Sequence, residues 1–229
     1  MEPSNHDTIL IACEILRPDL DRLRDEIAPQ VKLHYLDQDL HRHPHRMPAI
    51  LQEAIDRHAA DTGRIVMGYG LCSNGVVGIK APHQPLIIPR IHDCITLYLG
   101  SREAYECQFK SCPGTYYLTE SWIEHHKDPL GTMQHEYEPK LGREMAEWGM
   151  KEEMKHQVRI ALVDSGTGDG VPECVRKRAK ENAAFFDKKY EELRGQPDFL
   201  KRLLLGPYDN EDDFITVPPG TELTQRMFF

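Results

Sequence analysis

Apolar positions in the first hundred residues fall into two alternating kinds of segment. Thr8 to Cys13 is a compact apolar run of strand length. After Pro18, which suits a first helical turn because its missing N–H is not needed there, Leu20, Leu23 and Ile27 recur at helical spacing. Val31, Leu33 and Tyr35 alternate as a second strand, and Met47, Ile50, Leu51, Ala54 and Ile55 make the apolar face of a second helix. Arg64 to Gly70 and Pro85 to Arg90 read as the next strands. Such alternation marks parallel strands joined by crossover helices, so the expected class is α/β: an open, mostly parallel, Rossmann-like sheet flanked by helices.

Beyond Gly114 the rhythm changes. Thr115 to Leu118 is a short strand, Leu141 to Gln157 a highly charged surface helix, and Val158 to Val163 a strand that runs into the turn Asp164 to Gly170. Glu173 to Leu193 is predicted as one long helix carrying Val175, Ala179, Ala183, Phe186 and Tyr190. Pro197 to Leu205 is a shorter helix, and Phe214 to Val217 a last strand. With no internal repeat, the pattern predicts a single domain over residues 1–229. It is sheet-rich over 8–119 and helix-rich over 120–229, with strands near 158–163 and 214–217.

Composition narrows the functional classes. The chain has 229 residues, 40% of them hydrophobic, enough to bury a substantial core. A formal charge of -9 repels nucleic acid and anionic membranes at long range, so neither is an expected partner. The longest apolar runs, Ile9 to Cys13 and Ile65 to Gly68, fall far short of the roughly 20 residues a membrane span needs, and the polar N-terminus does not read as a signal peptide. A cytoplasmic protein acting on a small molecule is expected. Homo-oligomerisation is left open, since the modest aromatic content marks no interface. Six cysteines in such a chain point to thiol or metal chemistry rather than to disulfides.

Three of them share one setting, each closely following an apolar run read as a strand: Cys13, Cys72 and Cys94. The carboxyl ends of strands in an open parallel sheet line one crevice, where such folds bind ligands, so these cysteines are expected to meet. Converging thiolates repel one another unless a cation neutralises them. Two centres suit the set: zinc with a fourth position open, or a [4Fe-4S] cluster with one iron lacking a protein ligand. A cysteine at a strand end is also a common small core residue, and that bland reading stands beside the metal one. Gly70, Asn74 and Gly75 flank Cys72 and would let backbone approach a cofactor. His92 and Asp93 adjoin Cys94 and are candidates for a further ligand or for acid and base work.

Ala12-Cys13-Glu14, Gly68-Tyr69-Gly70-Leu71-Cys72 with Asn74-Gly75, His92-Asp93-Cys94, and Pro113 to Thr119 followed by Trp122 together resemble one family, the domain-of-unknown-function family numbered 1638. The Asp164-Ser165-Gly166 turn and Phe214 to Gly220 also look similar. The resemblance singles out Cys13, Cys72 and Cys94. It implies an association with corrinoid-dependent methyltransferases, with any corrinoid reached only through a partner protein.

Other constellations are weaker. The run His41-Arg42-His43-Pro44-His45 offers imidazoles to a metal or anion but reads as a solvated loop. Asp164 to Gly170 lacks the phosphate-cradling glycine patterns, and its aspartates would repel phosphate. Tyr116 alternates with its neighbours on a strand and could face the crevice. Glu14 would point to the opposite face from Cys13 if the strand continued. Cys107 and Cys112 read as incidental, and Cys174 as helix packing. Three functions follow: an enzyme with an open three-cysteine metal site acting on a sulfur- or methyl-bearing small molecule, a non-catalytic accessory or sensor of a corrinoid methyl-transfer system, or a metal-free small-molecule binder.

Overall fold

The computed structural model describes residues 8–229. Its strands are Thr8–Cys13 (β1), Lys32–Leu36 (β2), Arg64–Gly68 (β3), Leu86–Pro89 (β4), Thr115–Leu118 (β5), Arg159–Asp164 (β6), Lys189–Arg194 (β7) and Phe214–Val217 (β8). The α/β class and the mostly parallel pairing are as the sequence predicts. The strands are divided over two sheets, of order β2-β1-β3-β4-β8 and β5-β6-β7. Two compact units carry them: one is the chain up to Arg102 together with Pro197–Phe229, and the other is Glu103–Gln196. β5 therefore belongs to the second unit and β8 to the first.

In the first unit β1 to β4 are parallel and β8 closes the edge antiparallel, with Leu86 opposite Val217 and Pro89 opposite Phe214. All six residues of β1 are buried, as expected for a central parallel strand covered on both faces. Such a strand reads as a continuous apolar run because neither face meets water. The helix Arg17–Ile27 buries Leu20 and Leu23, and Met47–Ala59 buries Met47, Leu51, Ala54 and Ile55. At the far end of β1, Gly68 pairs with Ala12, and a Cβ there would lie 2.6 Å from that of Ala12, so β1 and β3 close tightly where the chain leaves the sheet. The chain winds from β1 outward to β2, then back across β1 to β3 and β4. The reversal sits between β1 and β3, the switch point at which open α/β sheets take their ligands.

The second unit holds a parallel three-stranded sheet whose core includes Leu118, Ile160, Leu162, Val175, Ala179 and Phe186. Here the sequence reading of Glu173 to Leu193 as one helix is corrected: the helix is Glu173–Phe185, and the chain returns as β7. Asp187, at φ 53, breaks the helix, with Lys188 N–H donating back to the Ala183 carbonyl at 2.8 Å in a left-handed cap. The helices Ile95–Leu99 and Arg102–Ser111 lie where no element was predicted. Among the described residues, no helix is long and apolar enough to cross a membrane.

Candidate metal centre

Cys13 is the last residue of β1, and Cys72 and Cys94 lie in the segments that leave β3 and β4. These are three adjacent parallel strands, so all three cysteines reach the carboxyl edge of one sheet. They are buried, with exposures of 1%, 7% and 6%, and carry free thiols. Burial pushes the Cys13 and Cys72 thiols up to about 12, and that of Cys94 well above its ordinary value. After burial, the field of Cys72 and then Cys13 raises Cys94 further, and Cys13 also acts on Cys72. The three sulfurs thus stand within electrostatic reach of one another. The charged side chains acting on them are Glu14 and Asp37 at Cys13 and Asp93 at Cys72 and Cys94, all acidic. Among the described residues, no group of three or more His, Cys, Asp or Glu side chains is placed to hold a single metal ion directly.

The backbone that presents Cys72 is unusual. Cys72, Ser73 and Asn74 have φ of 45, 56 and 67, three successive non-glycine residues in the left-handed region. L-residues enter that region singly as a rule, at a cost on the order of 1–2 kcal/mol each. Cross-links hold the turn in place: Leu71 N–H donates to the Ile91 carbonyl and Cys72 N–H to the His92 carbonyl, both at 2.9 Å, and Gly75 N–H closes onto the Cys72 carbonyl at 3.0 Å. Gly70 and Gly75 serve this packing. A Cβ on Gly70 would sit 2.8 Å from the Ile91 oxygen, and one on Gly75 would sit 2.5 Å from the Met47 sulfur. The close approach expected of these glycines is therefore made to the chain itself. Asn74 is exposed, and its carbonyl accepts from Val77 N–H.

A model of the protein family of unknown function DUF1638 matches residues 35–204. The chain belongs to that family. The match takes in Cys72 and Cys94 and begins beyond Cys13. No curated protein and no solved structure matches.

Two further residues of this DUF1638 chain join the cysteines. His41, on the 3₁₀ turn Gln38–Arg42 after β2, brings Nδ1 to 3.9 Å from Cys13 Sγ and 3.2 Å from the Gln38 carbonyl. Burial lowers its pKa, opposed by the Gln38 contact and by Asp93. The reading of His41 to His45 as wholly solvated is corrected at this residue; His43 and His45 do remain exposed. The His41 ring stacks on Tyr69, with centroids 6.2 Å apart and planes 20° apart. Tyr69 is 1% exposed, and its buried hydroxyl has no hydrogen-bond partner. Burial raises its pKa well above the ordinary value, and the fields of Cys13, Cys72, Cys94 and Asp37 add to the effect. Nothing in the local pattern separates His41 from its histidine neighbours or marks Tyr69 as more than a core aromatic. The pairing of β2 beside β1 puts His41 here, and Tyr69 arrives on the segment that leaves β3 toward Cys72.

The remaining candidates are placed as follows. Asp93 Oδ1 accepts from Ile95 N–H at 3.0 Å while its charge reaches Cys72 and Cys94. The His92 ring is exposed and lies 5.7 Å from the Phe229 ring, so its contribution to the Cys72 turn is the backbone carbonyl. Tyr116 is on β5 in the second unit, half-buried against that unit's core, and is not among the residues the first unit gathers. Glu14 begins a 3₁₀ turn and pairs with Arg17 at 3.2 Å, because β1 stops at Cys13. Cys107 is exposed and Cys112 half-buried. Cys174 is exposed, against the reading of it as packing, because it sits in the first turn of its helix.

Proposed function

We propose that this chain is a metal-dependent enzyme whose open centre is held by the thiolates of Cys13, Cys72 and Cys94 and acts on a sulfur- or methyl-bearing small molecule. The observation that carries the reading is the gathering of three buried thiols from three adjacent strands into a field that is otherwise acidic. Without a cation that setting holds the thiols protonated, since burial and like charge both disfavour thiolate. A cation reverses the balance, and the donor set fits a thiophilic one.

A [4Fe-4S] cluster or zinc would supply Lewis acidity at a position without a protein ligand. Because the sulfurs are not in single-ion contact, the larger cluster asks for less rearrangement, and we favour it. The chain's own residues do the rest. The left-handed turn fixes the direction of Cys72, the Tyr69 and His41 rings keep water from the sulfurs, and Asp93, whose charge reaches both Cys72 and Cys94, is the acid or base. The methyl-bearing substrate class follows the family's association with corrinoid-dependent methyltransferases, which would place any corrinoid on a partner.

The test is the iron, sulfide and zinc content of anaerobically purified protein, together with its visible spectrum, against a Cys13→Ser, Cys72→Ser, Cys94→Ser triple variant. Iron and sulfide with broad visible absorbance, lost in the variant, is the expected result. Stoichiometric colourless zinc selects the other centre, and wild-type protein with neither metal overturns the proposal.

A further inference from the structure

The Tyr69 hydroxyl is one of several buried polar atoms of the first unit without a hydrogen-bond partner, and its ring stacks on His41, whose Nδ1 reaches the Cys13 thiol. A phenol O–H taken from water and left without an acceptor costs free energy comparable to a lost hydrogen bond. A fold can avoid that cost by turning the group to solvent or to a carbonyl. Tyr69 does neither, although it directly follows β3 and its ring stacks on that of His41. The stacked His41 ring, whose Nδ1 lies 3.9 Å from Cys13 Sγ, sets the phenol beside the Cys13 side of the centre, and the three thiols and Asp37 all act on it.

We infer that Tyr69 is a ligand-binding residue of this centre, donating its hydroxyl hydrogen to an acceptor atom on an uncharged small molecule that meets the thiol-held group. This rests on the metal reading above. The uncharged class follows from the surroundings. Three thiolates more than neutralise a divalent cation, and Asp37 and Asp93 add further negative charge. An anion entering this space meets net repulsion, whereas a neutral carbonyl, hydroxyl, amine or thioether does not. The hydroxyl then finds in the ligand the acceptor that the protein withholds. His41 is a positioning residue that keeps the phenol ring in place.

The test compares wild-type protein with Tyr69→Phe, which keeps the ring and removes only the hydroxyl. Metal content is measured first in both. Acetamide and its anionic counterpart acetate are then titrated into the metal-loaded proteins and followed by calorimetry, which reads a colourless centre as well as a coloured one, and the melting temperature of each metal-free protein is recorded. Equal metal content is expected, with acetamide bound at least tenfold more tightly than acetate by wild type, and acetamide affinity about fivefold to tenfold weaker in the variant. The metal-free variant is expected to melt no lower than wild type, because no protein hydrogen bond is lost. Unchanged acetamide affinity with metal present overturns the role of Tyr69 and leaves the metal reading intact. Tighter binding of acetate overturns the uncharged class. A variant that melts lower or does not fold shows the hydroxyl to be a bond of the fold and overturns the inference. Wild-type protein without metal removes both readings.

Discussion

The hydroxyl of Tyr98 donates to the carbonyl of Ile15 at 2.6 Å, and both residues are buried. Tyr98 lies in the short helix Ile95–Leu99 that begins directly after Cys94, and Ile15 lies two residues after Cys13. The bond therefore ties together the segments leaving β4 and β1, which flank β3 in the sheet. Tyr98→Phe leaves the Ile15 carbonyl buried without this donor. The expected loss is about 1–3 kcal/mol of stability, read as a lower urea midpoint at unchanged slope. Metal should also pass to a competing chelator faster in the variant, because the spacing of Cys13 and Cys94 is less constrained.

The thiols predict a pH dependence for the metal-free chain. Cys13 and Cys72 are raised to about 12 from an ordinary value of 9.0, and Cys94 is likewise raised well above it. A raised folded-state pKa means that between those limits the folded chain holds protons that the unfolded chain has released. The contribution is whole below about pH 9 and is lost as pH climbs toward 12. Urea midpoints measured at pH 7, 9 and 10.5 should fall more steeply for metal-free wild type than for the triple serine variant. Parallel curves would show that the cysteines do not titrate as buried thiols.

The parts of this arrangement that could be read in advance are those written into local pattern. Cys13 closes a strand that is apolar from Ile9 onward because β1 is covered on both faces, and the same logic locates β3, β4 and β6. β7 was invisible for an equally local reason. Asp187 takes the left-handed cap where a glycine would have announced the helix end, and the strand's acidic residues look solvated until Glu191 meets Arg159 at 2.8 Å and Glu192 meets Arg176 at 2.9 Å. The turn at Cys72 hides in the same way, since Ser73 and Asn74 give no glycine signal. No pattern within one strand says which sheet it joins, so the division of strands over two sheets could not be read either. His41 comes to Cys13 through strand order alone, whereas Tyr69 is carried in on the segment that leaves β3 and reaches Cys72.

A polar network in the second unit offers a test independent of any metal. Asn182 is fully buried; its amide donates to Asp128 Oδ2 at 2.8 Å and to the Arg178 carbonyl at 2.9 Å, and its oxygen accepts from Leu130 N–H at 2.9 Å. Arg178 Nε and Gly131 N–H converge on the same carboxylate oxygen at 3.0 Å. Asn182→Ala removes three bonds at once and leaves a buried N–H and a buried carboxylate short of partners. The expected cost is about 2–4 kcal/mol. Denaturant unfolding followed by circular dichroism reads it, and metal content of the first unit should be unchanged. A loss below about 0.5 kcal/mol would mean that water replaces the asparagine.

Ser73 tests whether the turn at Cys72 stores strain. Its side chain is exposed while its backbone sits at φ 56, between two residues also in the left-handed region. Glycine enters that region without the Cβ penalty, a relief of about 1–2 kcal/mol, but loosens the unfolded chain by roughly 0.5–1 kcal/mol. Relief is the larger effect, so Ser73→Gly should raise stability by about 0.5–1 kcal/mol. Ser73→Val, whose branched side chain is least tolerant of positive φ, should lower it by a similar amount or more. Thermal unfolding of the metal-free proteins reads both. If the glycine variant melts no higher than wild type while valine is tolerated, the three left-handed residues carry no strain, and the rigid presentation of Cys72 must come from the hydrogen bonds to Ile91 and His92 alone.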